Sequence, residues 1–236
     1  MEESLTTKDK IIVALDLPSV DEARKLISIL GTNVSWYKIG LQLFALGGPA
    51  FVQEVKESGA KIFLDLKFHD IPNTVRSAVE SSCALGVDML TIHLCGGTEM
   101  CQAAVEGRGT SSTVLLGVTV LTSQTDATLS EIGIQRSLTQ QVLSLATLAK
   151  AAGLTGLIAS PLELETLRNK FGKDLVVVTP GVRPTWSTAG DQKRFTIPAE
   201  ALKLGADYLV IGRPITAAPD PQAAFLRIAS EVSSNQ

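Results

Sequence analysis

Residues 63–74 read FLDLKFHDIPNT, and with Lys61 and Ile62 ahead of them they describe a buried strand that ends in charge. The lead-in is rich in branched and aromatic side chains, as a strand core requires. Strand side chains alternate, so Phe63, Asp65 and Lys67 share one face while Ile62, Leu64 and Leu66 take the other. The aliphatic face suits burial under a helix. The opposite face carries an acid and a base into whatever the sheet encloses, although desolvating an ion costs several kcal/mol. Two readings follow. One is a structural ion pair at a strand end. The other is a site in which Asp65 and Asp70 hold Lys67 protonated and aimed, ready to hand a proton to a carbanion.

Outward from this segment the same unit recurs. Strand-like runs are expected at 11–16, 34–39, 61–67, 89–93, 114–118, 156–159, 175–179 and 208–212, with amphipathic stretches at 20–30, 51–58, 74–85 and 138–151 between them. Gly59, Gly86, Gly153 and Gly205 each stand just before a strand, where glycine closes the preceding helix. Eight strands followed by helical sequence predict an α/β protein of the (β/α)8 TIM-barrel class, one domain over residues 1–236. A doubly wound open sheet is the rival, but no G-x-G-x-x-G follows the first strand. The polar stretch 184–194 reads as a long lid loop.

Composition narrows the function. A chain of 236 residues with 45% apolar and 19% charged side chains fills one folded domain. A net charge of −3 argues against a general grip on nucleic acid, leaving room only for a local cationic pocket that holds a phosphate. The first ten residues lack the apolar core of a signal peptide, and no run is long enough to span a bilayer, so a cytoplasmic protein without membrane contact is expected. Cys83, Cys95 and Cys101 are too few for a disulfide framework and read as small buried hydrophobes in a reducing compartment. His93, Cys95 and Cys101 lack the paired spacing of a metal site. Neither a nucleophile elbow nor a phosphate-binding G-x-x-x-x-G-K-[ST] loop occurs.

A barrel gathers its functional groups at the C-terminal ends of its strands. The unusual polar residues fall there: Asp16 after the first strand, Lys38 in the second, Asp65 and Lys67 in the third. His93 follows the fourth, Thr119 and Thr122 the fifth, Arg183 the seventh and Arg213 the eighth. One shared site accounts for that alignment. Asp16 could instead cap the next helix, Thr74 could be an ordinary early helix residue, and Arg213 could be a surface charge. His69 and His93 read as structural hydrogen bonders.

The string DLKFHDIPNT at 65–74, with VLTS at 120–123, TPGVRP at 179–184, GDQKR at 190–194 and IGRPIT at 211–216, resembles the bacterial orotidine 5′-phosphate decarboxylase family. The resemblance runs in order along essentially the whole chain. It implies decarboxylation of the nucleotide orotidine 5′-monophosphate to uridine 5′-monophosphate, with no metal and no organic cofactor, by a homodimer whose active sites are shared between subunits. Carried over by motif, Lys67 is the proton donor to C6 of the pyrimidine, in a charged network with Lys38, Asp65 and Asp70. Asp70 would reach in from the partner subunit. Asp16, Lys38 and, from the partner, Thr74 would bind ribose hydroxyls, and Ile71 would join the substrate contacts. Thr122 would contact the base or the loop above it, and Gln192 would bridge base and phosphate. Arg213 and the Gly212 amide would hold the phosphate, with Arg183 nearby. A silent nucleotide binder and a metal-dependent sugar-phosphate decarboxylase of the same superfamily are the alternatives.

Overall fold

Each apolar strand of this chain can bury one face against helices and the other inside a closed sheet, and a computed structural model describing residues 6–187 and 196–234 has that arrangement. The strands are β1 (Ile11–Ala14), β2 (Trp36–Gly40), β3 (Lys61–Phe68), β4 (Met89–His93), β5 (Val114–Val118), β6 (Gly156–Ile158), β7 (Val176–Thr179) and β8 (Tyr208–Ile211). All neighbouring pairs are parallel, and β8 returns to β1 to close the barrel in sequence order. The helices among the described residues are α1 (Val20–Leu30), α2 (Leu41–Glu57), α3 (Pro72–Ala84), α4 (Gly97–Arg108), α5 (Asp126–Glu131), α6 (Leu138–Ala151), α7 (Leu164–Phe171), α8 (Pro198–Lys203), α9 (Arg213–Thr216) and α10 (Pro221–Ser233).

Two apolar layers result. Ile62, Leu64 and Leu66 join the larger core between barrel and helices, whereas Phe63 packs with Ile12, Ala14, Trp36, Met89, Leu116, Val178 and Val210 inside the barrel. Trp36 meets Tyr208 edge-on at 5.4 Å and carries the Lys61 ammonium over its ring, so the interior is filled from below. Polar side chains on the inward face must therefore lie above that floor, at the C-terminal mouth.

The eight expected strands are found, β4 and β5 with the expected bounds and the others with ends that differ by one or two residues. Helix α2 departs more from expectation. It begins at Leu41, ten residues before the predicted stretch, and kinks where Gly48 adopts φ 54° ahead of Pro49. Gly47, Gly48 and Pro49 hide a helix from a propensity reading, yet a glycine in the left-handed region lets two helical pieces run on across the break. Asp16 does not cap α1. Ser19 does, its hydroxyl accepting the Glu22 N–H at 3.2 Å. Cys101 is buried and Cys83 half-buried, but Cys95 is exposed, because it sits on the turn where the chain leaves β4 at the mouth.

Candidate active site

Alternation along β2 and β3 brings Lys38 and Gly40, and Asp65 and Lys67, above the floor formed by Trp36 and Phe63. There the interior opens into a cavity of about 710 Å³ lined by these four residues. Lys67 Nζ donates to Asp65 Oδ1 at 2.8 Å, and Lys38 Nζ lies 3.6 Å from Asp65 Oδ2. The Lys38 ammonium also donates to Asp16 Oδ1 at 2.9 Å, which draws Asp16 into the network from the loop after β1. Only 12% of the Asp65 side chain and 9% of the Lys38 side chain are exposed, so these charges interact with little solvent screening. Burial alone would raise the Asp65 pKa. The Lys38 and Lys67 charges, with hydrogen bonds from Lys67 and Thr91, outweigh it and hold the carboxyl below its ordinary 3.8.

Lys67 is held in an unusual backbone state. Its φ is 49°, the left-handed region, and it is the sole non-glycine residue with positive φ among the described residues. Such a conformation costs about 1–3 kcal/mol and persists where the surroundings impose it. The cause is a slip in the ladder: Leu64 pairs with Leu90 but Phe68 pairs with Ile92, so four steps on β3 span two on β4. The bulge contains Asp65, Leu66 and Lys67 and keeps both charged residues on the cavity side.

The far side of the mouth is cationic. Arg213 opens α9 immediately after Gly212, Arg183 follows β7, and all three line the same cavity. Arg183 is buried, and burial together with the neighbouring Arg213 charge lowers its pKa. These two guanidinium charges make this side of the mouth favourable to an anion. Thr122 lines the cavity from the loop after β5, where Gln124 Oε1 accepts the Leu121 N–H at 3.3 Å and braces the turn. Thr119 turns away instead, donating to the Ile158 carbonyl at 2.9 Å.

Three expected members stand apart. Asp70 does not join Asp65 around Lys67 within the chain; it is exposed, and its Oδ1 accepts the Ile71 N–H at 2.7 Å. The strand ends at Phe68 and the chain turns before α3, which takes the Asp70 side chain off the strand face. Ile71 and Thr74 are exposed beside it. Gln192 and most of the 184–194 stretch lie outside the described residues. The base of that stretch is fixed by a bridge between Val182 and Thr196, and Trp186 donates to Glu231 of α10 at 2.8 Å. His93 Nδ1 accepts the Cys95 N–H at 3.4 Å, as a structural histidine would, whereas His69 stacks on the His93 ring at 5.6 Å. Burial, then His69 and Lys67, lowers the His93 pKa.

Two residues with a part in this geometry were not singled out from sequence. Gly40 leaves room at the network, since a Cβ there would lie 3.2 Å from both Asp16 Oδ1 and Lys38 Nζ. Thr91, fully buried on β4, hydrogen-bonds both Lys67 and Asp65. Its signal was the alternation of Met89, Thr91 and His93, which puts a hydroxyl on the inward face one strand away from Asp65.

Comparison with known proteins follows the same lines. The model of the orotidine 5′-phosphate decarboxylase / HUMPS family matches residues 9–228. An orotidine 5′-phosphate decarboxylase of Moorella thermoacetica is 50% identical over 233 residues, covering 95% of this chain and 92% of that one. One from Rhodopseudomonas palustris is 48% identical over 226 residues, covering 96% and 95%. The crystal structure of orotidine 5′-phosphate decarboxylase from Lactobacillus acidophilus superposes with a TM-score of 0.83 at 39% identity, over 94% of this chain and 98% of that one.

Proposed function

The chain belongs to the orotidine 5′-phosphate decarboxylase / HUMPS family, and from that premise we propose that its barrel mouth converts orotidine 5′-monophosphate to uridine 5′-monophosphate and carbon dioxide in pyrimidine biosynthesis. The observation that carries this reading is the Lys67–Asp65 pair in a cavity whose other side presents Arg183 and Arg213. A nucleoside monophosphate needs both ends: cations for its phosphate, and an oriented ammonium for the pyrimidine.

The reaction breaks the bond between C6 and its carboxylate carbon. The electron pair stays on C6 in an sp² orbital that the ring delocalises poorly, and carbon dioxide leaves. Lys67 stabilises that charge as it develops and then transfers an Nζ proton to C6. The neutral amine regains a proton from water. Asp65 and Lys38 fix the Lys67 ammonium before the substrate arrives, so little reorganisation is required during the step. Asp16 and Lys38 bind ribose hydroxyls, Thr122 contacts the base, and Arg213, the Gly212 amide and Arg183 take the phosphate. Gln192, outside the described residues, bridges base and phosphate. Phosphate binding far from the scissile bond contributes to the transition state through orientation.

The working unit is a cytoplasmic homodimer with shared sites. Asp70, Ile71 and Thr74 support this part of the reading: they are exposed at the mouth, with Ile71 67% exposed, and a second copy supplies what would cover them. No helix among the described residues is long and apolar enough to cross a membrane.

The test is a continuous absorbance assay of orotidine 5′-monophosphate turnover by protein treated exhaustively with a chelator. Undiminished turnover is expected. Absence of turnover in untreated protein would overturn the assignment, and loss on chelation restored by magnesium would overturn the metal-free mechanism.

A further inference from the structure

The bulge in β3 leaves the Lys67 amide opposite a side chain rather than in the regular ladder to β4. Its N–H donates to Thr91 Oγ1 at 2.8 Å, and the same hydroxyl donates to Asp65 Oδ1 at 3.0 Å. Asp65 Oδ1 in turn accepts from Lys67 Nζ at 2.8 Å. The three bonds close a ring from the Lys67 backbone, through Thr91 and Asp65, back to the Lys67 side chain. Thr91 has no surface exposure and comes from a different strand, so it ties the ring to the barrel wall.

A hydroxyl suits this position because it can accept and donate at once. Accepting the Lys67 amide leaves its one hydrogen for the carboxylate. A methyl group would leave a Lys67 amide unpaired and withdraw one donor from Asp65. The left-handed φ of Lys67 then loses the bond that compensates for it, and the ammonium loses its fixed bearing.

We propose that Thr91 is a positioning residue for decarboxylation: its hydroxyl clamps the bulged Lys67 backbone to the Asp65 carboxylate and so sets the direction from which Nζ reaches C6. It is fully buried and does not line the cavity. The inference rests on the function proposed above, but it concerns the transition state and leaves ground-state binding to the arginines and to the proposed ribose and base contacts.

The experiment compares wild type with Thr91→Val, which keeps the shape, and Thr91→Ser, which keeps the hydroxyl, in steady-state turnover of orotidine 5′-monophosphate with thermal unfolding alongside. Losing a hydrogen bond to a charged group from the transition state lowers kcat by about 10- to 100-fold. Thr91→Val is expected to show that loss with KM within threefold of wild type, and Thr91→Ser to recover most of it. Should Thr91→Val not fold, Thr91→Ala replaces it under the same criteria. Wild-type kcat in the hydroxyl-less variant, or an equal loss in Thr91→Ser, overturns the positioning role while the decarboxylase reading stands. An inactive wild type overturns both.

Discussion

Lys67 reaches Asp65 at 2.8 Å from a backbone held at φ 49°, so the ammonium is aimed by a bulge in β3 and by the side-chain pair together. Replacement by glycine and by alanine separates the two contributions. Both variants lose the ammonium, and turnover should fall by at least about 10³-fold in each. Glycine adopts positive φ freely, so Lys67→Gly should be the more stable variant by up to about 1 kcal/mol in denaturant unfolding. Full activity in Lys67→Ala would contradict the proton-donor role.

Asp65→Asn leaves the Lys38 and Lys67 ammoniums without the carboxylate between them. Removing one partner of so enclosed a pair should cost about 3 kcal/mol at neutral pH. The native carboxyl titrates below its ordinary 3.8, so near and below that value the unfolded chain binds more protons than the native one. The stabilisation is complete above 3.8 and is lost as the pH falls through the native pKa. Denaturant unfolding should show a constant gap between wild type and Asp65→Asn from about pH 5 to 8, narrowing below 3.8. A gap that widens on acidification would contradict the lowered pKa.

Gly40→Ala inserts a methyl group 3.2 Å from both Asp16 Oδ1 and Lys38 Nζ. The backbone there, φ −96° and ψ −175°, accepts alanine, so the strain falls on the two side-chain tips. Displacing the proposed ribose contacts should raise KM by about tenfold, a loss of one modest hydrogen bond, while the melting temperature stays near wild type. An unchanged KM would argue against Asp16 and Lys38 as ribose ligands.

Subunit mixing tests the shared site. In a hybrid of Lys67→Ala and Asp70→Ala subunits, one of two sites receives both intact groups and the other neither. Random exchange makes half the dimers hybrid, so about a quarter of wild-type activity should return. No recovery after demonstrated exchange would mean that Asp70 does not act across the interface.

The order of strands and helices was legible in the sequence because burial patterns are local: a strand repeats every two residues and a helix about every 3.6. Phe63, Asp65 and Lys67 on one face, and the polar residues at strand ends, follow from that periodicity and from the barrel it implies. The motifs at 65–74, 179–184 and 211–216 carried the family. Alternation presumes uniform extended backbone, however, and so could not reveal the slip that puts Lys67 in the left-handed region. Nor could it pair Lys38 with Asp16, or Thr91 with Asp65, which lie 22 and 26 residues apart and meet only because barrel closure fixes the register of neighbouring strands. Sequence determined which side chains face the interior. The distances at which they act on one another were decided by the closed sheet, because contacts between strands depend on register and bulges that no single strand encodes.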